Sequence, residues 1–284
     1  MSRFLEGEPP SIEQLANLLQ DTADIAAEAG ALLLQRQREG SYEVQEKNDH
    51  SPVTSADFAA SELISQQLLK TSAHIPVLTE EALKPWHERR DWPSYWLVDP
   101  LDGTQEFIYG SPDFAVSIAL VSHNEPVLGV IYWPAEDALY YAAKSQGAWR
   151  RVGTKQENIS VRRLQNPQRD AITVALSRRQ PVERILSRMS HGERVIEHVK
   201  TGSCTLKSCL VAEGSADCFI RVGETGEWDT AAAQILVQEA GGSLVDENFN
   251  PLTYNRTAHP VNPNFLVLGD PRVDWPALLP EHLR

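Results

Sequence analysis

The sequence predicts a mixed α and β chain, an α+β first part followed by an α/β second part. Three observations predict it. A long apolar pattern at helical spacing occupies residues 11–40. Four β-like runs between residues 114 and 152 are separated by turn residues. After about residue 160 strand-like and helix-like segments alternate, as in layered α/β packing.

Each element has a local reason. Ser11 and Gln14 have the spacing of a capping box, in which each side chain satisfies a free backbone donor. Leu15, Leu18, Leu19, Ile25, Ala26, Ala29, Leu32 and Leu33 then mark one buried helix face, and Gly40 is a natural stop. Thr54 and Ser55 can cap a second helix through Leu63, Ile64 and Leu68, with Asp57 in its first turn. Residues 75–78 predict a strand ending at Thr79-Glu80-Glu81, and residues 96–98 another ending at Asp99. The runs 114–121, 127–132, 139–142 and 148–152, with turns at 124–126 and 135–137, predict an antiparallel meander. Beyond it we expect strands at 171–176, 195–196, 216–220 and 265–268. Helices are expected at 181–189, 206–213 and 228–240, the last closed by Gly241-Gly242.

Composition narrows the function. The chain has 284 residues, 42% apolar and 23% charged, which suits one or two globular domains. No apolar run is long enough to span a bilayer. Met1 to Pro10 are charged and proline-rich without a signal-peptide core, so a cytoplasmic protein is expected, with a peripheral place at the inner membrane as an alternative. Cys204, Cys209 and Cys218 form neither a disulfide framework nor a CxxC zinc pair. A net charge of −13 argues against a nucleic-acid polymer and an anionic membrane as partners. It would also repel a phosphorylated small molecule unless bound divalent cations reverse the local sign.

The chemistry concentrates in Trp96-Leu-Val-Asp99-Pro100-Leu101-Asp102-Gly103-Thr104. An apolar run delivers Asp99 at its carboxyl end, and Pro100, lacking an N–H, is expected to take the chain out of the sheet. Asp102 follows by three residues, so a turn can bring both carboxylates to one side. Gly103 permits unusual backbone angles, and Thr104 can begin a helical turn whose N–H groups face an anion. Hard cations such as Mg²⁺ take oxygen ligands. Asp99, Asp102 and the Leu101 carbonyl offer them, with Glu80 and Asp229, each at an element terminus, as further candidates. Singly, each acid reads as a turn, a solvated pair or a helix-start charge; together, in this order, they read as a metal cluster. No Cys-x5-Arg motif suggests a cysteine nucleophile, and the histidines, His74 and His87 included, have no helical HxxxH pairing.

Four pieces, Ser-Pro-Val-Thr-Ser-Ala-Asp at 51–57, Thr-Glu-Glu at 79–81, Asp-Pro-Leu-Asp-Gly-Thr at 99–104 and Trp-Asp-Thr-Ala-Ala at 228–232, resemble the inositol monophosphatase superfamily. The resemblance implies a layered α-β-α-β-α sandwich. It implies an N-terminal α+β half over 1–158, a C-terminal α/β half over 159–284, and a site between them. It implies a Mg²⁺-dependent, lithium-sensitive phosphomonoester hydrolase holding two or three Mg²⁺ on Glu80, Asp99, Leu101, Asp102 and Asp229. Thr104, oriented by Asp57 and helped by Glu80, would activate water. Gly103, Thr104, Ser203, Lys207 and Asp229 would contact substrate.

Within the superfamily, Gln105-Glu106-Phe107-Ile108, Gly202-Ser203-Cys204-Thr205-Leu206-Lys207 and Asn262-Pro263-Asn264-Phe265 are similar to the 3′(2′),5′-bisphosphate nucleotidase branch of sulfur metabolism. That branch converts adenosine 3′,5′-bisphosphate to AMP and phosphate. Gln105, Glu224 and Ala233 depart from its usual Lys, Pro and Gly. The alternatives are an inositol or broader sugar phosphatase and, in another class, a non-catalytic metal- or nucleotide-binding regulator.

Overall fold

The computed structural model describes residues 8–47, 51–179, 181–187, 189–190 and 192–279. The first seven residues of the opening stretch lie outside them. Helix α1 (Ile12–Glu39) starts at the Ser11/Gln14 capping box and ends at Gly40, which is left-handed with φ 61°. Strands β1 (Val44–Glu46) and β2 (Pro52–Thr54) form a small antiparallel pair leading into α2 (Ser55–Thr71). Then come β3 (Val77–Thr79), α3 (Trp86–Arg89), β4 (Ser94–Asp102) and α4 (Thr104–Ile108). The meander is β5 (Ala115–Ser122), β6 (Glu125–Trp133), β7 (Ala138–Ala143), β8 (Ala148–Val152) and β9 (Lys155–Ile159).

The second part contains β10 (Ile172–Ser177), α5 (Glu183–Leu186), β11 (Ile196–Thr201), α6 (Cys204–Ala212) and β12 (Cys218–Arg221). A 3₁₀ turn (Glu227–Asp229) precedes α7 (Ala231–Glu239), β13 (Ser243–Asp246), β14 (Phe265–Leu268) and α8 (Trp275–Leu278).

Strands β3 to β9 form a seven-stranded sheet in sequence order, antiparallel except for the β3/β4 pair. The other sheet has the order β11-β10-β12-β14-β13. Side chains alternate across both. Trp96 and Val98 of β4 face a core with α1 and α2, while Tyr95 and Leu97 face the space between the sheets. In β10, Val174 and Leu176 face an outer core that includes Ile185, Trp275 and Leu278; Ala175 faces inward. Helices α6 and α7 fill the middle. The layers are therefore α-β-α-β-α, the sandwich expected. Helix α7 lies tight against the first sheet at Gly129, where a Cβ would lie 2.6 Å from the Ala232 carbonyl oxygen.

Several expectations need correction. Strand β4 runs on through Pro100 to Asp102 rather than ending at Asp99. The turn expected at 124–126 sits at His123-Asn124, both left-handed, so Glu125 and Pro126 already belong to β6. The helix expected at 181–189 is a single turn, Glu183–Leu186, although Val182, Ile185, Leu186 and Met189 do pack into the outer core. The helix expected from 228 begins only at Ala231, after the 3₁₀ turn. Among the described residues no helix is long and apolar enough to cross a membrane.

Candidate active site

The departure at β4 builds the centre of the site. Asp99 pairs with Ser117 and Asp102 with Ala115, so three steps on β4 oppose two on β5. In a regular strand residues three apart point to opposite faces. The extra residue undoes that, and Pro100, which cannot donate to the ladder, sits where such bulges accept proline. The Leu101 N–H bonds Asp99 Oδ1 at 2.9 Å, which pins the bulge. Gly103 follows at φ +99°, a left-handed angle that turns the chain into α4.

Carboxylate oxygens of Asp99, Asp102 and Asp229 lie within 4.8 Å of one another. Asp229 reaches them from the 3₁₀ turn, and its Oδ2 accepts from Gly226 N at 2.8 Å. Burial, and then the neighbouring carboxylates, push Asp99 and Asp229 well above the usual carboxylate range. The apposition therefore demands protons or cations. All donors are oxygens, the set a hard divalent cation takes.

Glu80 lines the same cleft but lies outside this trio; its Oε1 accepts from Lys47 Nζ at 2.6 Å. Burial raises its pKa, against the pull of Lys47. Burial alone would lower Lys47, yet Glu80 and Glu81 outweigh it and hold the ammonium charged.

Asp57 is buried in the first turn of α2. Its Oδ2 accepts from Thr54 N (2.8 Å) and the Thr54 hydroxyl (2.6 Å). Its Oδ1 accepts from the Thr104 hydroxyl at 2.9 Å, although Thr104 lies 47 residues away. That hydroxyl is also 3.2 Å from the Leu101 carbonyl oxygen. It has one proton to give, and giving it to Asp57 leaves its lone pairs able to accept from water.

Ser203 and Lys207 sit differently from the substrate-facing positions expected. Both line the cleft wall, but the Ser203 hydroxyl donates to Asp102 Oδ2. Lys207, buried on a helix covered by sheets on both sides, donates to the carbonyls of Gly202 (2.6 Å) and Ser203 (2.7 Å). Sequence reasoning missed three neighbours. Thr205 donates to Asp102 from its N–H, at 2.7 Å, and from its hydroxyl. Arg179 binds Glu106 at 2.7 Å over the cleft rim. Arg221 lines the cleft with its Nε buried and without a hydrogen-bond partner. A serine just before a helix was the one available signal, since Ser203 is the N-cap of α6. The cleft encloses about 650 Å³, with Leu176, Phe219, Ile220 and Val222 on its apolar side.

The sequence matches the profile of the Inositol monophosphatase family over residues 14–267. The chain belongs to the inositol monophosphatase family. Among relatives in that family, the 3′(2′),5′-bisphosphate nucleotidase CysQ of Aggregatibacter actinomycetemcomitans is 41% identical over 255 residues, covering 88% of this chain and 92% of its own. CysQ of Escherichia coli K12 is 37% identical, covering 88% and 99%. Among solved structures of the family, CysQ from Bacteroides thetaiotaomicron superposes with a TM-score of 0.76 at 32% identity, covering 91% and 99%. An inositol monophosphatase from Thermotoga maritima gives 0.72 at 26%, covering 89% and 92%.

Proposed function

We propose that this chain hydrolyses the 3′-phosphate of adenosine 3′,5′-bisphosphate, giving AMP and phosphate, with Mg²⁺ as cofactor. The observation that carries the reading is the trio of buried Asp99, buried Asp102 and half-buried Asp229, converging beside the Thr104–Asp57 pair. The trio, with Glu80 and the Leu101 carbonyl, would hold two or three Mg²⁺, which when bound acidify water and stabilise the charge on the departing oxygen. Thr104 passes its proton to Asp57 and accepts from the attacking water, which aims a lone pair at phosphorus. Glu80 borders that position and assists as base. The N–H groups that open α4, at Gly103 and Thr104, hold the phosphate oxygens. Attack is in line, and no side chain is phosphorylated.

The nucleotide assignment rests on the relatives and on the wall opposite the carboxylates. Its apolar side chains suit a base and ribose, and the guanidinium of Arg221, whose Nε is buried without a partner, suits a second phosphate. Ser203 and Lys207 serve substrate binding by shaping that wall. Consumption of this bisphosphate, a by-product in sulfur metabolism, would place the enzyme there. Lithium inhibition and a cytoplasmic location belong to the same reading.

The test is phosphate release across nucleotide, inositol and sugar phosphates, with and without Mg²⁺ and Li⁺. We expect adenosine 3′,5′-bisphosphate to exceed inositol phosphates by about 10²-fold in kcat/KM, since an analogue lacking the second phosphate leaves Arg221 unpaired. Equal rates would replace the nucleotidase reading with a broader sugar phosphatase. Metal binding without phosphate release would replace it with a regulator.

A further inference from the structure

Asp113 does not line the cleft, yet it is 1% exposed and its bonds lead to the cleft's centre. Its carboxylate accepts from Arg178 Nε, from a second Arg178 nitrogen at 3.3 Å, and from Gly202 N at 2.8 Å. Its backbone carbonyl accepts from Ser203 N at 3.2 Å. Gly202 is pressed so close that a Cβ would lie 2.6 Å from Glu106 Cγ and 2.9 Å from the Asp113 carbonyl oxygen. The turn held in this way supplies the donors on Asp102. Ser203 Oγ, Thr205 N and Thr205 Oγ1 converge on Oδ2, and Cys204 N reaches Oδ1 at 3.3 Å. A carboxylate held from both oxygens cannot rotate freely. Its orientation is set by a turn from the other half of the chain.

We infer that Asp113, clamped by Arg178, is a positioning residue that fixes Asp102 in the metal cluster through the turn at residues 202–205. The inference rests on the cluster being a metal site. Groups that orient a ligand typically change metal affinity 10- to 100-fold when removed. A purely structural Asp113 would lower stability and leave affinity alone. Asp217 is the control: it is equally buried and bonded to Arg162, at 2.9 Å through Nε, and to Thr173 N at 2.7 Å, with no bond to Asp102.

The experiment measures Mn²⁺ binding to the full chain by calorimetry and by electron paramagnetic resonance, beside thermal melting, for wild type, Asp113→Asn, Arg178→Gln and Asp217→Asn. We expect Asp113→Asn to weaken Mn²⁺ about tenfold, the lower end of the range for such groups, and Arg178→Gln less, about threefold, because Asp113 itself stays in place. Asp217→Asn should melt lower with unchanged Mn²⁺ affinity. Should Asp113→Asn fail to fold, Arg178→Gln decides, because the Arg178 side chain is half exposed and its loss spares the core. Wild-type affinity in the folded Asp113 and Arg178 variants overturns the inference, as does an equal loss in Asp217→Asn. Absence of Mn²⁺ binding by the wild type would instead overturn the metal reading beneath it.

Discussion

Two sets of buried aspartates in this molecule are treated in opposite ways. Asp113, Asp217 and Asp270 each meet an arginine, namely Arg178, Arg162 and Arg272. Asp99 and Asp102 are buried and Asp229 is half-buried, and their hydrogen bonds among the described residues come from N–H and O–H groups with no guanidinium among them, while they face one another. A buried carboxylate without a counter-charge is costly. The fold pairs a guanidinium with each acid of the first set. Among the described residues it forms no ion pair where three acids converge, and Arg221 on the cleft lining offsets Asp229 only in part. On the proposed function, the contrast distinguishes acids paired within the fold from acids that would hold an ion.

Exchanging the two roles should produce opposite phenotypes. Asp102→Asn should lower kcat on the order of 10³-fold, the scale of losing a key electrostatic group. Its metal-free melting temperature should hold or rise, because repulsion is relieved. Kinetics and melting on the same sample check both halves, and retained turnover would remove Asp102 from the site. Thr104→Ala should lower kcat about 10²-fold, the size of a general-base contribution. Mn²⁺ affinity, read by calorimetry, should stay near wild type, and a parallel loss of both would make Thr104 a support of the cluster instead.

Metal at 100 times its dissociation constant should stabilise the wild type by about 2.7 kcal/mol, and Asp102→Asn by much less. Thermal melting with and without Mg²⁺ reads this. On the other side of the comparison, Asp217→Asn should cost about 2 kcal/mol in denaturant unfolding and leave kcat near wild type.

The smallest effect concerns pH. Hydrogen bonds from Arg272, against some burial, hold Asp270 well below the usual aspartate range. A depressed acid stabilises fully above its unfolded value, about 4, and that contribution is lost as pH falls below it. The stability gap between wild type and Asp270→Asn should therefore be constant at neutral pH and narrow in acid. A gap that widens in acid would reverse the assignment.

Much of this was legible in the sequence, and the misses have physical causes. The ends of α1 and α2 followed from local capping, a short-range effect. Strand β9, Lys155–Ile159, was invisible because it is a polar edge strand with one neighbour and little to bury. Pro100 read as the end of β4 because a proline breaks a regular ladder, whereas a bulge admits it. Asp57, Glu80, Asp99, Asp102 and Asp229 could be singled out because the sequence puts each near an expected element terminus. Their partners could not. The Thr205–Asp102 and Arg178–Asp113 bonds join residues 103 and 65 positions apart, and no local pattern encodes them. Lys207 was ambiguous because a lysine on a helix is usually solvated, and only the sheets on both sides of α6 bury it.

Gly129 carries a consequence out of proportion to its size. It is the spot where α7 rests on the first sheet, with the Ala232 carbonyl and Ile235 pressed against the missing side chain. Asp229 stands just before that helix, whereas Asp99 and Asp102 belong to the sheet beneath it. The absent methyl thus acts as a depth gauge, setting how far Asp229 descends toward Asp99 and Asp102. Any bulk there would lift the helix and spread the trio apart, so a mutation far from the cleft would read in an assay as a lost ligand.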